Sequence, residues 1–127
     1  LGAWAGKCWE ALLALDDYAR LTVTERWSGN VERYLSYGPD GCRGFPANRY
    51  ARDESADVQQ NPKFRTPRTL PVPTSVDSSG KLFMGAHFKI AQFGLISPRM
   101  HYYDDTARTE RIYVGYIGRH LPTAKTN

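Results

Sequence analysis

Over residues 81–90 the side chains alternate in kind. Leu82, Met84, Ala86, Phe88 and Ile90 share one parity, and Lys81, Phe83, Gly85, His87 and Lys89 share the other. A period of two places the first set on one face of a β-strand and the second set on the opposite face. Two further β-rich stretches, 99–103 and 111–117, follow across the connections 91–98 and 104–109. Strands in succession joined by short connections form an antiparallel meander. Residues 69–76 also alternate, but Pro71 and Pro73 lack the donor a ladder needs. That segment therefore reads as an edge strand or an extended arm, closed by a turn at 77–80.

The N-terminal part follows a different period. Ala5, Cys8, Leu12, Leu15 and Ala19 recur at spacings of 3 and 4, which predicts a helix over 3–21. Trp9, Leu13 and Tyr18 widen the stripe, so burial on more than one side is expected. Residues 22–37 read either as the start of a strand at Leu21–Thr24 or as a short helix capped by Asn30. Gly38, Pro39, Gly41, Gly44 and Pro46 make 38–49 a loop. A short helix is expected around 53–60, capped by Asp53 or Ser55. The fold class that follows is α+β: an N-terminal helix or helices packed on a C-terminal antiparallel β-meander of three to four strands. It spans 1–127 as one domain, helical and loop-rich over 1–68 and sheet over 69–118, and reads as the C-terminal part of a larger protein.

Charge separates the same two parts. Residues 1–61 hold 7 Lys/Arg and 9 Asp/Glu, whereas 62–127 hold 10 and 4. A basic half points to an anionic partner. No apolar run approaches the ~18 residues of a membrane span, so no membrane partner is expected. Two cysteines, Cys8 and Cys42, do not make a disulfide scaffold. That points to a reducing, cytoplasmic setting.

The strand pattern sorts the candidate functional residues. The core side takes Leu82, Met84, Ala86, Phe88, Ile90, Met100, Tyr102, Ile112, Val114 and Tyr116. The other side takes Phe83, His87 and Lys89, then Arg99, His101 and Tyr103, then Arg111 and Tyr113, with Arg119 and His120 just beyond. Cations neutralise phosphates and flat rings stack on bases, so this face is expected to bind nucleic acid or another phosphate-bearing ligand. The competing expectation is a plain solvated sheet face. Lys63, Arg65 and Arg68 surround Phe64 in a proline-stiffened stretch, 61–69. It reads either as an arm along a nucleic-acid backbone or as a linker whose Phe64 enters the core.

A catalytic reading uses the same face. Metal-independent RNA cleavage needs a general base, a general acid and a cation, which His87, His101 and Arg99 supply. Helices followed by a basic antiparallel sheet resemble the architecture of small bacterial ribonucleases of the barnase and colicin kind. No family motif matches residue by residue, so no catalytic residue is carried over. A third reading is a protein–protein interaction domain serving other domains of the parent protein. Whether His87 and His101 share a face depends on strand register, which one slip or bulge would change.

Other chemistries are set aside. Tyr113-Val-Gly115 and Tyr116-Ile-Gly118 resemble part of the GIY-YIG nuclease motif, but that family needs an arginine and a metal-binding glutamate well downstream. Only nine residues follow Gly118, and none is acidic. No Cys or His pair has zinc-ligand spacing, and no phosphate-binding glycine loop or nucleophile elbow is present. No metal and no cofactor are expected.

Overall fold

The computed structural model describes residues 4–91 and 97–124. Helix α1 (Ala5–Val23) buries Cys8, Ala11, Ala14, Leu15 and Tyr18. The buried stripe is rotated from the expected one: Ala5 is exposed, and Leu12 and Ala19 are half-buried. Ala11 and Ala14 have only a methyl group, so this face brings the helix backbone closest to its neighbours. Trp9 is 62 % exposed, so burial does not extend to that side. Thr22 and Val23 continue the helix instead of starting a strand. Helix α2 (Val31–Tyr37) begins at Asn30, whose side chain accepts from Arg33 N at 2.9 Å. The two helices meet through the rings of Tyr18 and Tyr34, 5.7 Å apart and edge-on.

The loop that follows holds a 3-10 turn, Ala47–Arg49, and a two-residue strand that the sequence pattern misses, β1 (Tyr50–Ala51). Helix α3 (Ala56–Gln60) is capped by Ser55. The stretch expected as an arm or linker is helical. It folds as α4 (Pro62–Arg65), with Pro62 in the first turn where its missing N–H costs nothing, and then a 3-10 turn, Thr66–Arg68. Phe64 is buried there.

The largest correction concerns 81–90, which is not one strand. Strand β3 (Lys81–Phe83) pairs antiparallel with β2 (Thr69–Pro71), whereas β4 (His87–Lys89) belongs to a separate sheet. The chain passes between the sheets at Met84-Gly85-Ala86. A Cβ on Gly85 would lie 2.1 Å from Asp53 Oδ1 and 3.0 Å from Phe83 Cε2, so a larger residue would displace the Asp53 carboxylate where the chain turns. The main sheet has the order β1-β4-β5-β6, with β5 (Arg99–Asp105) and β6 (Arg111–Gly118) forming its longest pair. All its pairings are antiparallel. The connection expected over 91–98 falls largely on 92–96, outside the described residues.

N-terminal helices pack on one face of this sheet, against Phe88, Ile90, Met100 and Tyr102. The other face is covered as well. Leu70, Val72, Val76 and Met84, from the β2–β3 hairpin and the segments beside it, form a second small core with Tyr103, Tyr113 and Tyr116. The face expected to be wet is thus largely interior. Register adds a second correction. His101 pairs with Tyr116 and Tyr102 with Val114, so Gly115 is an extra residue and β6 bulges there. Beyond the bulge the parity inverts. Tyr116 joins Tyr113 on the hairpin face, and Ile117 and Val114 are left 42 % and 38 % exposed.

Gly115 faces tight packing: an added Cβ would meet Met84 Sδ at 2.6 Å and Leu70 Cβ at 2.9 Å. Gly115→Ala is therefore expected to lower stability by about 1–3 kcal/mol. The urea unfolding midpoint checks this, with Gly6→Ala, where a Cβ would meet nothing within 4 Å, as the reference.

Candidate functional site

His87 and His101 are direct partners across β4 and β5. Their rings stack with centroids 4.7 Å apart and planes 24° apart. Each Nδ1 lies against a backbone carbonyl: His87 Nδ1 is 2.8 Å from Gly85 O, and His101 Nδ1 is 2.9 Å from Met84 O. A carbonyl only accepts, so each Nδ1 carries the proton. In the neutral ring, each Nε2 then holds a lone pair. The two acceptors belong to consecutive residues at the point where the chain leaves one sheet for the other.

Burial keeps the pair uncharged. Loss of solvent pushes His101 down to about 3, and the neighbouring His87 adds to that. Burial likewise lowers His87, against the opposing pull of the Gly85 carbonyl and Glu54. His120, half-buried beyond the end of β6, is lowered for the same first reason, and it feels Arg99, Arg68 and Glu54. All three histidines of the chain therefore gather in one polar cluster.

Glu54 and Arg68 complete it. Arg68 is 1 % exposed, and its Nε donates to Glu54 Oε2. The remaining guanidinium nitrogens reach the carbonyls of Phe64 at 2.8 Å, Pro122 at 2.9 Å and Leu121 at 3.3 Å. Glu54 Oε2 also sits 3.9 Å from His87 Nδ1. Two residues along β5 from His101, on the same face, Arg99 is 8 % exposed. Its Nη1 donates to Ser97 O at 3.0 Å and Pro98 O at 3.3 Å, but its Nε is buried with no partner among the described residues. Lys89 pairs with Arg99 across the ladder and is half-buried.

Glu54, His87 and His101 offer three ligand atoms within 4.8 Å of one another, the geometry of a possible metal site. The surroundings do not favour one. Arg68 already engages Glu54 Oε2 and each histidine Nδ1 is turned to a backbone carbonyl, which leaves Glu54 Oε1 and the two Nε2 lone pairs as donors. Two guanidiniums close by oppose a further cation. Arg68 is paired with Glu54, which leaves Arg99 and Lys89 as the remaining cations beside the histidines.

The structure separates the other candidates. Arg68 is interior and tied to Glu54, so it presents no cation to solvent. Arg65 lies over the Phe83 ring at 4.2 Å and shares a groove with Tyr103. Lys63 is exposed beside Phe64. Arg119 is exposed one residue past Gly118, the partner of Arg99. Arg111 pairs with Asp105 at the far end of β5–β6, and Tyr113 donates to Thr109 Oγ1 at 3.0 Å. Neither belongs to the histidine cluster. Glu54 was missed because a lone carboxylate in a polar stretch carries no periodic signal. No known family model, curated protein or solved structure matches this chain.

Because His101 has a folded value of about 3, below the ordinary 6.5, the unfolded chain binds more protons between those values. Stability is then full above about pH 6.5 and falls as pH drops towards 3. The loss is at most about 1.4 kcal/mol per pH unit for each such histidine. Urea midpoints at about pH 7.5 and about pH 5.5 check this, a window where histidines titrate and carboxylates do not. His101→Gln is expected to flatten the dependence.

Proposed function

We propose that this domain binds a phosphate-bearing ligand, the backbone of a nucleic acid, at the histidine–arginine cluster. The single observation that carries the reading is Arg99: a buried guanidinium whose Nε has no partner among the described residues. A buried donor on a charged group left unmade is costly, and an anionic oxygen is the partner that relieves it. Lys89 beside Arg99 and Arg119 at the strand end extend the positive potential outward. With their Nδ1 protons committed to backbone carbonyls, His87 and His101 add neither charge nor a competing donor to the cluster.

Cleavage ranks second, on the observation that Glu54 lies near the protonated edge of His87 while His101 stacks beside it. In that reaction one histidine takes the 2′-hydroxyl proton, the 2′-oxygen attacks phosphorus, and the P–O5′ bond breaks as an acid protonates the departing oxygen. Burial lowers both histidines, which disfavours the imidazolium that a general acid uses. Recognition is therefore proposed ahead of cleavage.

Affinity for a labelled single-stranded RNA, measured from about 50 mM to about 200 mM salt, tests the proposal. Binding is expected to weaken as salt rises. Lys89→Met is expected to lower the salt slope by about one phosphate contact. Arg99→Met is expected to weaken binding at least about tenfold, as loss of a charge-assisted hydrogen bond does. Absent or salt-independent binding would sink it. RNA left intact by the protein in EDTA is the expected result, and cleavage that disappears in His87→Ala would promote the second reading.

A further inference from the structure

A second feature of the basic half lies beside the cluster, on the outer side of the β2–β3 hairpin. A groove of about 480 Å³ opens between α4 and that hairpin, and its lining includes Arg65, Lys81, Phe83 and Tyr103. Arg65 and Lys81 are exposed, while Phe83 and Tyr103 are half-buried. The Arg65 guanidinium lies over the Phe83 ring at 4.2 Å from its centroid. Its Nη1 donates to Gln59 O at 3.2 Å, which fixes its position. A charged plate and two rings are thus held in one opening before any ligand arrives. Asp77, also in the lining, is occupied by Ser79, which donates from its N–H at 3.0 Å and from its hydroxyl at 2.7 Å.

The groove is continuous with the histidine cluster through the backbone. Tyr103 follows His101 by two residues on the same face of β5, about 7 Å along the strand. Phe83 precedes Met84, whose carbonyl holds His101 Nδ1. A polymer with phosphates at Arg99 and Lys89 therefore meets ring-lined space four residues further along β5, about 13 Å away. Aromatic rings with flanking cations accept bases without regard to their identity, but only bases freed from a duplex.

We infer that the Arg65–Phe83–Tyr103 groove seats an unpaired nucleobase, which makes single-stranded nucleic acid the ligand of this domain. The inference rests on the phosphate-binding reading of the neighbouring cluster. Arg65, stacked on Phe83, supplies a planar cation for a base to stack on, Tyr103 borders the opening, and Lys81 lies at the groove where a flanking phosphate passes. Base pairing removes the ring faces that this groove would use, so a duplex gains only the phosphate contacts.

The test compares three probes of equal length: a single-stranded oligouridine, its abasic counterpart with the same phosphates, and a duplex. The oligouridine is expected to bind about tenfold or more tighter than the abasic strand, since each stacked base contributes that much. Arg65→Ala, an exposed position outside both cores, and Phe83→Leu, which keeps an apolar side chain, are each expected to shrink that ratio. Both should leave abasic affinity within about twofold, apart from the salt-dependent share of Arg65. Equal, salt-sensitive affinity for the oligouridine and abasic strands overturns the base seat and leaves the phosphate reading standing. A duplex that binds as tightly as the oligouridine overturns the single-strand preference. No binding by any probe overturns both readings together.

Discussion

One buried guanidinium ties together segments that are remote in sequence. Arg68 joins Glu54, at the approach to α3, to the carbonyl of Phe64 in α4 and to the carbonyls of Leu121 and Pro122. Its own backbone carbonyl accepts from Met84 N at 2.8 Å, where the chain leaves β3. A charge removed from water is tolerable only when paired and hydrogen-bonded. Meeting that demand fixes the α3–α4 segment, the start of β2 and the segment after β6 against one another. It also fixes Glu54 beside His87, so the packing of the hairpin layer and the electrostatics of the cluster have a common origin.

The passage of the chain between sheets at Met84-Gly85-Ala86 serves the same cluster. In an uninterrupted ladder the carbonyls of Met84 and Gly85 would be committed to a neighbouring strand or to water. Here each meets a histidine Nδ1. Backbone irregularity thereby sets the tautomer of two side chains, and burial sets their charge. Satisfied on one edge and uncharged, the stacked imidazoles stay together at 4.7 Å, where two imidazolium ions would repel.

What the sequence disclosed follows from where periodicity is informative. Helix α1, the Asn30 cap, the turn before Lys81 and the strands β5 and β6 carry strong local signals, and the α+β arrangement followed from them. The break inside 81–90 was hidden because alternation runs unchanged through it: a period of two reports which side a residue faces, not which sheet it belongs to. The bulge at Gly115 was hidden for a related reason, since a glycine between Val114 and Tyr116 fits a regular strand equally well. That misplaced Tyr116, and it did not disturb the facing of His87 and His101. Arg68 and Glu54 were illegible as a pair, because polar residues in irregular segments reveal a burial partner only once the chain has folded. The exposed sheet face was expected because antiparallel sheets often have one wet side. The hairpin that covers it came from residues assigned to that same sheet.

The bulge at Gly115 also bears on how the molecule behaves among its own copies. Strand β6 is the outermost strand of the main sheet, and Val114 and Ile117 are exposed along it. Such an edge invites a neighbouring chain to zip onto it, because regular donors and acceptors offer a ready template. An extra residue midway along disrupts that regular spacing, so a straight incoming strand matches one half of the edge or the other but not both. Arg111 and Arg119, exposed at its two ends, repel the like-charged ends of a parallel, in-register copy. An edge of eight residues is in this way divided into two short ones, each a poor seed for polymerisation.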